Sequence, residues 1–168
     1  MEQELSQTKE ILIEAAYALF AEQGYHGTSM RHIAKRANLA LGGIYNHFEN
    51  KEEIFKAVVL TYHPFVVALP QFTAVEGSSA AEFLRNAVHL IIQEIEKRPE
   101  IVNIVFIEMI ELKGQHLDEL AEQILPKAEE FAPQLIAFAD QLRDVSPVVI
   151  LRSFAGLIFS YFVTGKLL

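Results

Sequence analysis

The spacing of apolar residues constrains the fold of this chain more than any other feature. In almost every segment they recur at positions i, i+3, i+4 and i+7, which places them on one face of a helix. No segment shows the strict alternation that is typical of a half-buried β-strand. Hydrophobic residues make up 51% of the 168 residues, so the helices can bury a sizeable core. We therefore predict an all-α protein.

Residues that start helices divide the chain into two domains. Thr28 and Asn50 are of the types that cap a helix N-terminus, and they are predicted to open the second and fourth helices. We predict a three-helix domain over residues 1–50 and a connecting helix over about 51–69. A helical bundle is predicted to follow over residues 70–168.

Glycine, asparagine and proline mark the expected turns. Gly24 is predicted to end the first helix, and Asn38 to take the left-handed conformation in the turn after the second helix. Residues 70–79 have the composition of a loop. Pro126 and Pro133 are expected to kink the helix that contains them, or to divide it into two shorter pieces.

Charge is distributed unevenly along the chain. The net charge of −8 argues against loose binding to nucleic acid. Residues 25–51, however, contain a single acidic residue, Glu49, whereas acidic residues outnumber basic ones further along the chain. The sequence therefore predicts a small basic surface on an acidic body. The basic residues of this segment are Arg31, Lys35, Arg36 and Lys51.

Two adjacent glycines, Gly42 and Gly43, begin a short predicted helix, although each costs roughly 1 kcal/mol relative to alanine. Two short helices joined by a tight turn are typical of a helix-turn-helix, whose second helix enters the major groove of DNA. Glycine at the head of that helix lets the backbone approach phosphates and base edges. The pattern alone is equally compatible with a loop at the glycines, a core Tyr45 and a surface His47.

The segment from residue 24 to residue 55 resembles the DNA-binding domain of TetR-type (tetracycline-repressor-type) transcriptional regulators. Two positions depart from the family pattern: Asn38 stands where the family usually has glycine, and Ala40 where serine or threonine usually caps the recognition helix. The residues that carry the resemblance are Gly24, Tyr25, Thr28, Ile33, Ala34, Gly42, Tyr45, His47, Phe48 and Lys51.

The resemblance implies a helix-turn-helix repressor that acts as a homodimer on a double-stranded DNA operator. It also implies that residues 70–168 form a ligand-binding and dimerisation domain, and that an effector releases the operator. Leu41, Gly43 and Asn46 are candidates for base readout, since asparagine pairs with adenine and leucine meets a thymine methyl group. The full set of candidate DNA-binding residues is Thr28, Leu41, Gly42, Gly43, Tyr45, Asn46, His47 and Lys51.

The effector is expected to be small and partly apolar, and no cofactor is expected. Polar residues on apolar helix faces can orient such a ligand, and they include Asn103 and Glu108. Arg152 can receive a carboxylate or form a salt bridge across a dimer interface. The candidate effector-binding residues are Phe106, Met109, Ile110, Phe131, Phe138, His89 and Arg152.

Other classes of protein are disfavoured by the sequence. The chain has no cysteine, which excludes disulfides, thiol catalysis and cysteine-ligated metal. It has no catalytic or metal-binding motif, so we expect neither an enzyme nor a metal site. Without a signal peptide, and with Arg152 interrupting the longest apolar stretch, we expect a cytoplasmic protein that does not enter a membrane. The alternative function is a helical small-molecule sensor or protein-interaction module without DNA binding.

Overall fold

A computed structural model describes residues 2–138 and 147–164 of the chain, which are helical throughout these ranges apart from short connections. The described residues form no β-strand, which confirms the all-α prediction. The α-helices are α1 (Glu2–Gly27), α2 (Met30–Arg36), α3 (Leu41–Ile44), α4 (Lys51–Tyr62), α5 (Pro64–Ala68), α6 (Ala80–Lys97), α7 (Ile101–Phe106), α8 (Leu117–Ile136) and α9 (Pro147–Thr164). A 3-10 helix covers Leu69–Ala74, and a π-helical turn covers Ile107–Glu111.

The helices pack as two compact units. The head unit comprises Met1–Val66 together with Glu100–Gln123, and the second unit comprises Val67–Pro99 together with Ile124–Leu168. The head unit therefore contains the predicted three-helix domain, most of the predicted connecting helix and a segment from the middle of the chain. No sequence signal indicated that this middle segment packs with the N-terminal helices.

The core of the head unit is an aromatic and aliphatic cluster built around α1 and α4. The ring of Phe20 in α1 stacks on Tyr25 with centroids 5.7 Å apart and meets the edge of Phe55 in α4 at 5.1 Å. Burying one such side chain contributes roughly 1.5–3 kcal/mol. The apolar spacing of α1 predicts that Ile11 shares a buried face with Leu12 and Ala15, which is wrong because Ile11 is 47% exposed. Tyr17 is buried instead, because its ring packs 4.9 Å from that of Tyr62 in α4.

Two left-handed residues confirm the predicted turns around α2. Gly24 has φ 76°, which breaks the helical path of α1 just before its end, and Asn38 has φ 55° after α2. Glycine adopts this conformation without a steric penalty, and asparagine is one of the few other residues that tolerate it. These turns set the directions of α2 and α3 relative to α1.

The cap of α2 differs from the prediction, whereas the cap of α4 agrees with it. Ser29, not Thr28, is the N-cap of α2, since its hydroxyl accepts a hydrogen bond from the main-chain N–H of His32. Asn50 caps α4 by accepting from the N–H of Glu53 at 2.9 Å. These bonds satisfy main-chain donors that a helix N-terminus leaves unpaired.

The second unit contains two departures from the predicted elements. The first half of the expected loop at 70–79 is helical, because Pro70 fits the first turn of a 3-10 helix that buries Leu69 and Phe72. Helix α8 contains both Pro126 and Pro133 as one element, so of the two outcomes expected there, a kink or a division, the division is wrong. The prolines are seven residues apart, about two turns, so both rings lie on one side of the helix.

Helix α9 is described from Pro147 onward, and residues 139–146 lie outside the described residues. In the described part of the chain, no single helix is long and apolar enough to cross a membrane. One pair of consecutive helical segments, Lys51–Tyr62 and Pro64–Ala74, is bent by 42° at the break between them. Together these two segments meet the length and composition of a membrane span, and no other property is tested by that comparison.

Candidate nucleic-acid interface

Helix α3 presents polar and aromatic side chains on a small buried base. Ile44 is fully buried and Phe48 is 4% exposed, so they fix this segment on the head core. Leu41, Tyr45 and Asn46 are exposed on the opposite side. Helix α3 is only four residues long, and the N–H of Asn46 bonds to the carbonyl of Gly43 in the turn that follows. The structure thus brings most of the predicted DNA-binding residues onto one exposed surface.

The two glycines of α3 leave that surface open. A Cβ atom built on Gly42 or Gly43 meets no other atom within 4 Å, so the fold itself does not require glycine here. Their cost in helix propensity therefore needs another explanation, such as close approach by a bound molecule. Ala40, the N-cap residue of α3, makes no side-chain cap hydrogen bond, as its departure from the family pattern predicts.

Lys51, the first residue of α4, holds the loop between α1 and α2. Its ammonium donates to the main-chain carbonyls of Tyr25 at 2.7 Å and Thr28 at 2.9 Å, and it lies 4.0 Å from the centroid of the Tyr25 ring. Burial lowers the pKa of Lys51, and the nearby carboxylate of Glu111 opposes that change. The ammonium of Lys51 thus uses two of its three N–H donors in hydrogen bonds to the loop.

Thr28 is buried rather than available at the surface. It is 2% exposed, and its hydroxyl donates to the carbonyl of Gly24 at 2.9 Å. This bond crosses the left-handed break in α1, so Thr28 fixes the entry to α2. The exposed hydroxyl at this N-terminus belongs to Ser29, which the sequence reasoning missed because both residue types are good caps.

The basic segment is less uniform than its sequence indicates. Arg36 is neutralised by Glu22 of α1 through two hydrogen bonds of 2.8 Å. Arg31 and Lys35 are exposed on α2, one helical turn apart, and neither makes an ion pair with a described residue. Lys9 of α1 adds a cation near α3, since its ammonium lies 5.5 Å from the centroid of Phe48. Nothing in the sequence pattern singled out Lys9.

The candidate effector residues are scattered. Phe138 packs on Phe83 in the second unit, with ring centroids 6.1 Å apart. His89 and Arg152 are exposed, and the side chain of Phe131 lies outside the described residues. In the head unit, Phe106 is half-buried and Met109 and Ile110 are 52% and 68% exposed. The candidate effector residues are therefore divided between the two units.

A cavity of about 40 Å³ lies in the head unit. Of the candidate effector residues, only Met109 is among the described residues that line it. Beside it lies Glu108, which is 3% exposed and whose carboxylate accepts a 2.8 Å hydrogen bond from the N–H of His116. The described lining residues are Val59, His63, Ile101, Ile104, Val105, Glu108, Met109, Leu117 and Leu120. Among the residues that the structure describes, the cavity included, no three acidic or histidine side chains converge as metal ligands would.

The helix-turn-helix geometry agrees with comparisons to known proteins. Residues 12–58, which run from α1 into α4, match the family model of bacterial regulatory proteins of the tetR family. Residues 12–58 therefore form a DNA-binding domain of the TetR type. The matched residues include the N-cap of α2, the exposed surface of α3 and Lys51, whose bonds to the carbonyls of Tyr25 and Thr28 we call the Lys51 clamp.

Similar proteins match this chain beyond the head unit. The HTH-type transcriptional regulator UidR of Escherichia coli K12 is 27% identical over 152 residues, which is 88% of this chain and 74% of that protein. The Probable acrEF/envCD operon repressor of the same strain is 33% identical over 136 residues, covering 79% of this chain and 60% of that protein. The crystal structure of a TetR family transcription regulator from Marinobacter aquaeolei VT8 is similar in fold. It has a TM-score of 0.69 at 21% identity and covers 98% of this chain and 86% of that one.

Proposed function

We propose that this TetR-type DNA-binding regulator is a repressor that binds its operator as a homodimer and is released by a small effector. The observation that carries the proposal is the exposed face of α3, where Leu41, Tyr45 and Asn46 surround two glycines that the fold does not need. A backbone that approaches base edges explains these glycines. Repression is supported by the similarity to the Probable acrEF/envCD operon repressor of Escherichia coli.

The electrostatics of the head suit a protein that binds DNA at one surface. Arg31 and Lys35 are free to attract phosphates, and Lys9 is placed near the same end of the head. The chain as a whole carries a charge of −8, which limits binding of other surfaces to DNA. We assign no catalytic role to the protein and place its action in the cytoplasm.

Dimerisation is supported by the apolar exterior of α9. Leu157 is 67% exposed, and Phe159 and Tyr161 are exposed by about half. Exposed apolar surface of this kind on one helix marks an interaction site in a water-soluble protein. A homodimer would place two recognition helices on half-sites roughly 34–36 Å apart.

Release by an effector is supported by the contacts of the middle segment within the head unit. Asn103 donates to the main-chain carbonyl of Ala21 in α1 at 3.2 Å. At α4, Gln115 donates to Glu52, and Lys56 donates to Glu119. A ligand that binds a different arrangement of this segment more tightly would shift α1 and α4, and with them the DNA-binding surface.

The test is binding of the purified protein to DNA from upstream of its own gene, against scrambled DNA of equal length, over a salt series. We expect selective binding with a steep dependence on salt concentration. Tyr45→Ala should abolish selectivity, while Glu122→Gln, a change at an exposed site on α8, should leave it intact. A protein that is dimeric by sizing yet binds no site in the genome selectively would refute DNA binding and leave the ligand-sensor alternative.

A further inference from the structure

The cavity of the head unit combines apolar walls with one acidic group. It lies among α4, α7, the π-helical turn and the start of α8, and Ile101, Ile104 and Leu120 of its walls are at most 5% exposed. Glu108 is the acidic residue among the described residues that line it, and neither lysine nor arginine occurs in that set. A carboxylate in such surroundings requires partners, because its transfer out of water is costly.

Glu108 obtains its partners from a single neighbour, His116. One carboxylate oxygen accepts from the main-chain N–H of His116, and the other lies 2.8 Å from Nδ1 of the same residue. The main-chain carbonyl of Glu108 accepts from the N–H of Gly114 at 2.8 Å. The π-helical turn that carries Glu108 is a rare geometry that occurs often at functional sites. The imidazole is the one partner here that the cationic group of a ligand can replace.

His63, the other titratable residue of the cavity wall, adds no positive charge at neutral pH. Burial lowers its pKa to about 4. Its Nδ1 accepts from the main-chain N–H of Phe65 at 3.4 Å, which leaves the proton on Nε2. A ligand carboxylate in this cavity would therefore face Glu108 with no compensating cation, whereas an ammonium group would meet an opposite charge.

We propose that the effector is a primary amine with an apolar tail, and that its ammonium group binds Glu108 in this cavity. The proposal rests on the ligand-released function above. The volume of about 40 Å³ suits a head group of one or two heavy atoms, since water occupies about 30 Å³ in the liquid. The tail leaves past Met109, a flexible side chain that is 52% exposed, towards Ile110, which is 68% exposed.

Amine binding would act on α4 through the loop that carries His116. An ammonium that takes the carboxylate of Glu108 from the imidazole removes one anchor of this loop. The residues on either side of it contact α4, through Gln115 to Glu52 and through Glu119 to Lys56. The amine would therefore favour a second arrangement of the head, which is the differential affinity that release requires.

The test is titration of the full chain with hexylamine, hexan-1-ol and hexanoate at constant pH and ionic strength, followed by calorimetry. We expect hexylamine to bind at least tenfold more tightly than hexan-1-ol, and hexanoate to bind most weakly. Glu108→Gln should weaken hexylamine at least tenfold and leave hexan-1-ol unchanged. Glu122→Gln, which removes an exposed carboxylate, is the matched control and should leave all three affinities unchanged.

Equal affinities for the amine and the alcohol, or a Glu108→Gln protein that still binds the amine normally, would overturn the proposal. If Glu108→Gln fails to fold, Val105→Phe is the second variant, because its larger side chain fills the cavity while the carboxylate of Glu108 is retained. Unaltered binding of hexylamine to Val105→Phe would also overturn the proposed amine site. A protein that binds its operator but not hexylamine refutes only the amine site. Specific amine binding without any operator supports the amine site and refutes the regulatory function.

Discussion

Replacing Lys51 with methionine separates two roles for this side chain. As a phosphate-binding residue, which the sequence predicts, Lys51 would contribute to DNA affinity and little to stability. As the clamp seen in the structure, its ammonium bonds to the carbonyls of Tyr25 and Thr28 and stabilises the loop that orients α2. Methionine retains most of the apolar stem and removes the charge and all three donors.

The expected loss of stability follows from these contacts. A hydrogen bond from a charged donor contributes about 1.5–3 kcal/mol, and an exposed cation–π contact about 0.5–1 kcal/mol. Because Lys51 is only half-buried, water replaces part of what is lost, and we expect about 2 kcal/mol rather than the full total. For a chain of this size, that corresponds to a fall in Tm of roughly 4–8 °C.

Thermal denaturation of Lys51→Met measures this loss, with Lys35→Met as the control. Lys35 is exposed and its side chain makes no hydrogen bond or ion pair with a described residue, so its replacement should change stability by less than about 0.5 kcal/mol. Operator binding over a salt series gives the second readout. Each lost phosphate contact lowers the slope of log K against log salt by about 0.9, whereas loss of a clamp leaves the slope nearly unchanged.

A Lys51→Met protein with the wild-type Tm and a slope reduced by nearly one would refute the clamp. It would show that the two carbonyl bonds contribute little and that the ammonium turns to a phosphate when DNA is present. A lower Tm with an unchanged slope would establish that Lys51 positions α2.

Three further predictions follow from the head unit. Gly42→Ala should raise the free energy of unfolding by up to about 1 kcal/mol, because the added methyl group has free space and alanine favours helix. The same variant should bind the operator more weakly. Equal or tighter operator binding would refute the explanation that the backbone approaches DNA closely at Gly42. Thr28→Val should cost about 1–3 kcal/mol in chemical denaturation by removing the buried bond to Gly24, whereas Thr28→Ser should restore most of it. The pKa of His63 is about 4 in the folded protein and about 6.5 when unfolded, so the unfolded state binds more protons between these values. Stability should therefore fall by at most about 3 kcal/mol as pH drops from 6.5 to 4, and His63→Phe should remove that part of the fall.

Local signals predicted the secondary structure of the head well. Gly24 was expected to end the first helix, Asn38 to be left-handed and Asn50 to cap α4, and each of these features depends on a residue and its immediate neighbours. The errors arose where two residues of similar propensity compete. Thr28 and Ser29 are both good caps, and only the buried bond of Thr28 to Gly24 assigns the cap to Ser29.

The sequence by itself determined the helical class, the turns and the set of residues around α3, because these depend on periodicity and on contacts between near neighbours. Only the tertiary structure decided that Lys51 reaches back 26 residues to the carbonyl of Tyr25, and that Glu108 meets His116 beside a cavity. The first pairing depends on the packing of helices that are distant in sequence. The second depends on the packing of a π-helical turn against the loop that follows it. Apolar periodicity gives the face of a helix that is buried, but it does not give the partner that buries it.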